Sequence, residues 1–326
     1  MKINLFVFGM PRSGTKLLRE LLNSNPSIFI PEAESQFFPF LFKKYGSIID
    51  FSSEKIKNQF ISDIKNSLFI FYLKTEFDYN TNLDYLNNKK EKEKLSDILT
   101  ELFLNFCEKK HVKYLGDKTP EYLIHTELLF EEFPNSKYIH LVRDPRDYVL
   151  SMNKAWGKNI YLAATKWNEY ITNFQAKKKK LGANLIEIKY EDLISETEKT
   201  LKDICNFLEI DFNKNMLTPN KSVENKGDAI GQNKVKKDNF NKFLNQLSKS
   251  QILELEQIAF IGMQEYGYQI LNSDSITQSK KPHKIKLKLY RIQDIFAVAF
   301  DAFKIYGIKN GLKKLIFSQK QFATKN

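Results

Sequence analysis

Short apolar runs and helical repeats alternate along the first thirty residues. Residues 3–8 form an apolar run that ends at Gly9. Leucines then recur at helical spacing, at positions 17, 18, 21 and 22, until Asn25 and Pro26 interrupt them, and residues 28–30 are apolar again. This pattern predicts a strand, a turn, a helix and a second strand.

The same alternation resumes near residue 112. It predicts strands at 112–115, 138–142 and 184–188, and helices at 121–130, 147–153, 196–208 and 250–262. Strands that alternate with helices are typical of a parallel sheet with helices on both faces. The sequence therefore predicts an α/β fold: a P-loop-type, three-layer α/β/α arrangement around a central parallel β-sheet.

Two segments depart from the alternation. Residues 45–112 are rich in Phe and Lys, with helical patterns around a polar stretch at 78–94, and we interpret them as a helical insertion that forms a lid over the acceptor. Residues 273–326 follow the main domain of 1–272 as a basic helical C-terminal extension, amphipathic at 290–317. We expect this tail to be a helical pair packed on the domain or on a second subunit, and contact with an anionic membrane surface is the alternative.

Composition narrows the range of partners. The net charge of +12 favours anionic partners but does not distinguish nucleic acid, a membrane surface and a polyanionic small molecule. Cys107 and Cys205 lie far apart and only four histidines are present, so neither a disulfide framework nor a zinc site is predicted. Because no signal-peptide pattern precedes the first strand and no apolar stretch approaches twenty residues, we expect a cytoplasmic protein.

The turn after the first strand has the features of a phosphate-binding loop. A strand that leads through a glycine-bounded turn into a helix directs backbone N–H groups and the positive end of the helix dipole at one point. The ATP-binding version reads GxxxxGK[ST], in which the lysine contacts the phosphates and the hydroxyl holds magnesium. Gly9 and Gly14 have this spacing, but Thr15 replaces the lysine and Lys16 replaces the hydroxyl residue. The inverted order favours a single 5' phosphate over Mg-ATP.

Two motifs together resemble those of one enzyme family. Residues 11–15 read PRSGT, and Arg143 ends a strand eight residues before Ser151, which lies in the following helix. They resemble the 5'-phosphosulfate loop and the 3'-phosphate motif of sulfotransferases that use 3'-phosphoadenosine 5'-phosphosulfate (PAPS), in particular the tyrosylprotein and bacterial branch. The resemblance covers most of residues 1–270 and implies PAPS as co-substrate, adenosine 3',5'-bisphosphate (PAP) as product and no metal. A guanidinium can bind phosphate bidentately, which suits Arg143 to this role.

The resemblance also implies which residues bind the donor. They are Arg12, Ser13, Gly14, Thr15 and Lys16 at the 5' end, Arg143 and Ser151 at the 3' phosphate, Tyr190 in a YEDL turn, and Lys242. Lys16 stands where relatives carry a second hydroxyl, so it either supplies charge to the 5' phosphate or turns outward. Tyr190 is equally well explained by packing, and Phe243 after Lys242 replaces the tryptophan of some relatives. Trp167 is interpreted as a core residue rather than an adenine contact.

Sulfuryl transfer requires an in-line nucleophile and a base that removes the acceptor proton. His140 lies within the predicted buried strand at 138–142 and no other histidine lies near either motif, which leaves a carboxylate. Residues 31–38, PEAESQFF, resemble the stretch that carries the catalytic glutamate of the family; alignment on the two phenylalanines selects Glu34, and Glu32 is the alternative. Residues 116–120, GDKTP, resemble the segment that places a lysine near the bridging oxygen. We expect Lys118 and Arg12 to neutralise charge on the sulfuryl group and the leaving phosphate.

The sequence therefore predicts a sulfotransferase that moves the sulfuryl group of PAPS to a hydroxyl or amine of a small-molecule or carbohydrate acceptor. Two other classes are open. A P-loop kinase would use Mg-ATP and need a magnesium-binding aspartate, for which Asp144 is the candidate at a strand end. A nucleic-acid-binding protein would suit the net charge, but the lysines are spread out rather than interleaved with aromatic residues in a recognised motif. We therefore expect no nucleic-acid partner.

Overall fold

The computed structural model describes residues 2–77, 82–107, 112–219 and 234–322. Parts of the predicted insertion at 45–112 and of the polar stretch at 78–94 lie outside the described residues, as do the last four residues of the tail. All the candidate donor-binding and catalytic residues lie within them.

The structure alternates strands with helices in the order expected for an α/β protein. The strands are β1 (Ile3–Gly9), β2 (Ile28–Phe29), β3 (Ile48–Asp50), β4 (Lys92–Lys94), β5 (Tyr114–Lys118), β6 (Lys137–Val142) and β7 (Leu185–Lys189). The helices are α1 (Thr15–Asn23), α2 (Phe38–Tyr45), α3 (Glu54–Lys65), α4 (Leu68–Glu76), α5 (Leu95–Leu104), α6 (Thr126–Glu132), α7 (Pro145–Trp156), α8 (Ile160–Lys177), α9 (Tyr190–Ser195), α10 (Thr197–Phe207), α11 (Phe243–Gln246), α12 (Lys249–Glu265) and α13 (Lys284–Phe322).

Five parallel strands form the central sheet, in the order β2-β5-β1-β6-β7. Strand β1 is in the middle, so the loop that follows it lies between the carboxyl ends of β5 and β6. The register pairs Val7 with Lys118 on one side of β1 and Gly9 with Leu141 on the other. Ligands of open α/β sheets bind at this edge, and the loops after β1, β5 and β6 meet there.

Alternating side chains of β1 build two cores, one on each face of the sheet. Leu5 and Val7 belong to a cluster that includes residues of α1, α9 and α10, whereas Phe6 and Phe8 belong to a larger cluster that includes residues of α8 and α12. The ring of Phe8 meets Phe174 of α8 edge to face at 5.6 Å. Helices therefore cover both faces, and the predicted three-layer fold is confirmed. Trp167 is completely buried in the larger cluster, as expected for a core residue.

Two predicted boundaries were wrong. The strand expected at 112–115 begins at Tyr114 and continues to Lys118, because Gly116 to Lys118 pair in register with β1 although they read as a turn. The helix expected at 121–130 is a 3₁₀ turn (Pro120–Ile124) followed by α6. Proline suits the first position of such a turn, and the backbone of His125 leaves helical geometry before α6 begins.

The insertion contains the expected helices and one element that its sequence does not predict. Helices α3 and α4 begin at Ser53 and Ser67, whose side chains accept the backbone N–H of the third helical residue. Strands β3 and β4 pair antiparallel as a separate two-stranded sheet. They are three residues long, and the Lys-Glu-Lys of β4 has no apolar alternation, so neither gives a strand signal.

The tail is a helical hairpin packed on the domain. Helix α13 is interrupted at Gly307, where φ is 69°. A β-carbon at Gly311 would lie 3.0 Å from the carbonyl oxygen of Ala302, although nine residues of straight helix span about 13 Å; the second half therefore folds back on the first. Asp294 Oδ1 accepts the backbone N–H of Asn159 at 2.9 Å, which fixes the first half over the start of α8. No helix in the described ranges is long and apolar enough to cross a membrane.

Candidate active site

The loop between β1 and α1 makes close backbone contacts. A β-carbon at Gly9 would lie 2.2 Å from the carbonyl oxygen of Leu141 on β6, so only glycine fits. Arg12 and Gly14 both have left-handed backbone, with φ of 68° and 94°, and the Ser13 N–H donates to the Met10 carbonyl at 3.1 Å. Strained backbone of this kind is concentrated at binding sites. The turn ends where α1 begins, so the first N–H groups of α1 point out of the carboxyl edge of the sheet.

Gly14 is closed in by an aromatic ring, which gives a testable consequence. A β-carbon there would lie 2.4 Å from Cδ2 of Tyr190, whereas one at Gly157, which also has left-handed backbone (φ 64°, ψ 18°), would meet only the Ala297 β-carbon at an ordinary 3.5 Å. Gly14→Ala should lower the free energy of unfolding by about 3 kcal/mol, from overpacking added to left-handed strain. Gly157→Ala should cost about 1 kcal/mol, from strain alone. Urea unfolding of both variants measures the difference, and equal losses would contradict the packing of Tyr190 on Gly14.

Arg143 joins the loop to the second motif. Its Nη1 donates to the Arg12 carbonyl at 3.1 Å, and its Nη2 donates to the Asn239 carbonyl at 3.2 Å. The Arg12 side chain in turn donates from Nε to Ser151 Oγ at 3.2 Å, and its guanidinium lies 5.8 Å from the centre of the Trp156 ring. The structure therefore brings the two motifs, 131 residues apart at Arg12 and Arg143, into one cluster.

Two polar atoms of this cluster are buried without a hydrogen-bond partner among the residues that the structure describes. They are Ser13 Oγ, in a completely buried residue, and Nε of Arg143. Buried polar atoms usually have partners. A hydroxyl and a guanidinium N–H can both donate to phosphate oxygens, so the residues present fit a phosphorylated ligand.

Tyr190 is buried against both motifs. Its ring centre lies 4.5 Å from the Arg143 guanidinium, and its hydroxyl accepts a hydrogen bond from Asn239 Nδ2 at 2.7 Å. The ring therefore packs between Gly14 and Arg143 and supports the loop. Lys242 is half-buried before α11. The ring of Phe243 beside it is buried and lies 3.9 Å from the Arg146 guanidinium, so it packs in the interior.

The other charged residues of the second motif hold the fold. Arg146, rather than Arg143, forms the ion pair with Asp144, and it also pairs with the completely buried Glu256 at 2.6 Å. Asp147 accepts the backbone N–H of Phe243 at 3.0 Å. Arg143 is thereby left facing the loop.

Glu34 and Lys118 form an ion pair at the end of β5. The Lys118 side chain is completely buried, and Glu34 also accepts a hydrogen bond from Gln36 Nε2 at 2.9 Å. Burial raises the pKa of Glu34, but the adjacent Lys118 charge outweighs it and holds the pKa below its usual value. Glu34 is therefore an ionised carboxylate at neutral pH. Glu32 is fixed differently, since its backbone carbonyl accepts a hydrogen bond from Arg19 of α1.

Lys16 lies within electrostatic range of this pair. It is half-buried on the first turn of α1, and its charge contributes to lowering the pKa of Glu34. Burial lowers the pKa of Lys118, and the charges of Arg19 and Lys16 lower it further, against the effect of Glu34. Lys16, Lys118 and Glu34 form one electrostatic group beside the loop.

Helix α4 of the insertion borders this group. Burial raises the pKa of Tyr72, and the negative charge of Glu34 raises it further, together with Glu76 and Glu121. The insertion therefore contributes an aromatic side chain within electrostatic reach of Glu34.

A buried network fixes the Glu34 segment to β5, and sequence reasoning missed it. Ser35 Oγ hydrogen-bonds to Asp117 and to the Tyr122 hydroxyl, and the Ser35 N–H donates to Thr119 Oγ1 at 3.1 Å. Thr119 in turn donates to Asp117 at 2.9 Å. Residues 35 and 117 flank Glu34 and Lys118, so the network sets the position of the ion pair. The only sequence signal was the adjacency of a polar residue to each partner.

Asp117 makes stability depend on pH. Burial raises its pKa to about 7, from the ordinary 3.8, against the lowering effect of its hydrogen bonds and of Lys118. The folded protein then keeps a proton that the unfolded chain releases, so stability falls as pH rises from about 4 to about 7, by about 1.4 kcal/mol per pH unit from this group.

Asp117→Asn should remove this fall. The difference in free energy of unfolding between variant and wild type, measured in urea at pH 5 and pH 7.5, should shift in favour of the variant at the higher pH. The exposed Asp203→Asn on α10 serves as the control. A pH-independent difference for Asp117→Asn would show that its pKa is not raised.

Comparison with known proteins gives one consistent family. The family model described as sulfotransferase family matches residues 4–214. Protein-tyrosine sulfotransferase 2 of Gallus gallus is 25% identical over 65% of this chain and 53% of its own length, and protein-tyrosine sulfotransferase 1 of Danio rerio is 25% identical over 64% and 54%. The chain thus spans about half the length of these relatives.

Among solved structures, a sulfotransferase domain from the curacin biosynthetic pathway superposes with a TM-score of 0.56. It is 20% identical and covers 83% of this chain and 99% of that domain. At this identity the likeness concerns the fold, and it agrees with the three-layer arrangement described above.

Proposed function

Because the chain belongs to the sulfotransferase family, we propose that it transfers the sulfuryl group of PAPS to a hydroxyl of a small-molecule or carbohydrate acceptor and releases PAP. The observation that carries this proposal is the cluster of Arg143, Arg12 and Ser151 beside a loop whose Ser13 hydroxyl is buried without a partner in the described residues. Two phosphate-binding elements meet there, as a nucleotide with phosphates at both its 5' and 3' ends requires.

The residues divide between the two ends of the donor. The N–H groups at the start of α1 and the Ser13 hydroxyl suit the 5' end, since each can donate to a phosphate oxygen. Arg143 and Ser151 suit the 3' phosphate, and Tyr190 holds Arg143 in place through ring contact. A Mg-ATP loop has a lysine followed by a hydroxyl residue where this chain has Thr15 followed by Lys16. This inverted order argues against a kinase.

When bound, PAPS supplies an activated sulfuryl group with PAP as its leaving group. Glu34, kept ionised by Lys118, accepts the proton of the acceptor hydroxyl. Lys118 and Lys16 provide positive charge beside the loop, where negative charge develops on the leaving phosphate. Arg12 is held at Ser151 and adds a guanidinium next to the loop. The nucleophile comes from the acceptor, so the protein supplies positioning, charge and one base.

The acceptor is bounded by the insertion. We propose that residues 45–112 cover the acceptor. Tyr72 of α4 is close enough to Glu34 for the negative charge of Glu34 to contribute to raising the pKa of Tyr72. An apolar lining with few polar groups is typical of small-molecule sites. A second candidate is a tyrosine of a protein or peptide, which the names of the chicken and zebrafish relatives favour. Both acceptors offer a hydroxyl to Glu34.

The experiment is a transfer assay with ³⁵S-labelled PAPS. One set of acceptors contains phenols, steroid alcohols and sugars, and a second contains acidic tyrosine peptides. Labelled product from the first set supports the proposal, and product from the peptides alone supports the second candidate. Phosphoryl transfer from γ-labelled Mg-ATP to either set, without sulfuryl transfer from PAPS, would contradict both candidate functions.

A further inference from the structure

The positive charge of the chain is concentrated in its tail. Residues 280–326 contain twelve of the 51 lysines and arginines but two of the 39 acidic residues, so they carry ten of the twelve net charges. The domain before them is nearly neutral. The donor site therefore does not explain the basic character of the protein, and the positive charge of the tail must have a separate cause.

The first half of α13 exposes an apolar stripe. Its members are Ile285, Leu289, Ile292, Phe296, Phe300 and Phe303. Their spacing of three or four residues places them on one side of the helix, over about 27 Å. Phe296 and Phe300 are 71% and 72% exposed, and after the turn Ile308 and Leu312 are exposed as well. Contiguous exposed apolar side chains on a soluble fold mark an interaction surface.

The side of α13 that faces the domain is opposite to this stripe. Asp294 is 6% exposed there and accepts the Asn159 N–H, and Tyr290 stacks on Tyr161 of α8 at 6.0 Å. Tyr306, which lies beside the end of the stripe, donates to Glu76 of α4 at 2.5 Å and attaches this end of the helix to the domain. The domain thus fixes which face of the helix points outward.

The charges on the outward half have one sign. Lys284, Lys286, Lys288 and Arg291 are exposed and flank the stripe on both sides. The two acidic residues of the tail, Asp294 and Asp301, lie on the inward side, one of them buried and the other half-buried. An apolar stripe between basic borders is typical of helices that lie in the surface of an anionic membrane.

We propose that α13 docks on an anionic lipid bilayer, with its helix axis in the plane of the membrane and its apolar stripe in the headgroup region. A second copy of the chain fits this surface less well. In either orientation of two identical stripes about a twofold axis, the basic borders would meet no acidic side chain, because the outward half of the tail carries none.

The test is co-sedimentation of the full-length protein with vesicles of phosphatidylcholine, alone or with about one third phosphatidylglycerol. The wild type should bind the anionic vesicles and remain in solution with the neutral ones. Phe296→Ser with Phe300→Ser should weaken binding at least about tenfold, because the stripe loses its largest members. Substitution of Lys284, Lys286, Lys288 and Arg291 by glutamine should weaken it about 100-fold or more, and added salt should act in the same direction.

Matched controls change equal numbers of exposed residues elsewhere. Leu244→Ser with Ile261→Ser removes two exposed apolar side chains, and glutamine at Lys55, Lys65, Lys199 and Lys202 removes four charges. These variants should bind as the wild type does, and thermal unfolding of all variants verifies that they are folded. Equal loss in the controls would overturn the proposal. A wild-type protein that does not bind anionic vesicles would also overturn the proposal. This includes the case in which the wild type sediments as a dimer and the Phe296→Ser, Phe300→Ser variant as a monomer.

Discussion

Replacing Glu34 with glutamine is expected to lower the turnover of sulfuryl transfer about 10²–10⁴-fold, the usual contribution of a general base. Glutamine keeps the shape of the side chain and an oxygen that can accept the Lys118 hydrogen bond, but it cannot take the acceptor proton. The donor loop is untouched, so the dissociation constant of PAP should stay within a factor of about three. Steady-state kinetics and calorimetry on the same preparation measure the two quantities.

Glu32→Gln is the matched control. Lys118 pairs with Glu34, so Glu34 is the carboxylate beside the charges that act on the donor, and neutralising Glu32 should leave turnover close to that of the wild type. If Glu32→Gln is the inactive variant and Glu34→Gln is active, the assignment of the base is wrong. If Glu34→Gln loses PAP binding as well, the carboxylate belongs to the donor site rather than to the acceptor.

Arg143→Ala is expected to weaken PAP binding about 100-fold or more, because truncating one partner of a buried charge pair costs about 2–5 kcal/mol. The guanidinium donates to the Arg12 and Asn239 carbonyls, and its buried Nε has no hydrogen-bond partner among the described residues. Arg143→Lys should recover part of the affinity, since lysine restores the charge but not the fork of donors. Calorimetric titration with PAP measures both variants.

Lys137→Gln at the other end of β6 is the control for charge. Its side chain packs over the Phe207 ring, 4.9 Å from the ring centre, away from the loop. This variant should bind PAP as the wild type does. An equal loss of affinity in Lys137→Gln, or unchanged affinity in a folded Arg143→Ala, would contradict the placement of the 3' phosphate at Arg143.

The sequence was most informative where chemistry depends on neighbours in the chain. The strand, turn and helix around Gly9 and Gly14 follow from a local pattern, and the eight-residue spacing of Arg143 and Ser151 places both after one strand. The two motifs meet because β1 and β6 are adjacent parallel strands. In chain order they are the first and fourth strands of the sheet, so the preference of consecutive strands to be neighbours does not predict this adjacency, and only the structure shows it.

The sequence could not settle features that depend on contacts across the sheet. The candidates Glu34 and Glu32 differ by two residues, and the contact that favours Glu34 comes from Lys118, 84 residues further along the chain. The burial of Asp117 could not be predicted, because β5 extends through a Gly-Asp-Lys segment whose sequence is typical of a turn. The network around Asp117 is formed by residues 35, 119 and 122.

The tail shows a similar division. Its amphipathic pattern predicted a helical pair packed on the domain or on a second subunit, with an anionic membrane surface as the alternative. Which side faces the domain depends on contacts such as Asp294 with Asn159, and the reversal at Gly307 depends on one left-handed residue. Neither follows from periodicity, because an apolar stripe alone does not say whether the domain or another partner covers it.

Calorimetric titration of the wild-type protein with PAP and, separately, with Mg-ATP probes the donor site by itself, because it needs no knowledge of the acceptor. A loop that accepts a 5' phosphate beside an arginine for the 3' phosphate should bind one PAP per chain and give no saturable heat with Mg-ATP. Saturable binding of Mg-ATP without binding of PAP would rule out a donor site for PAPS.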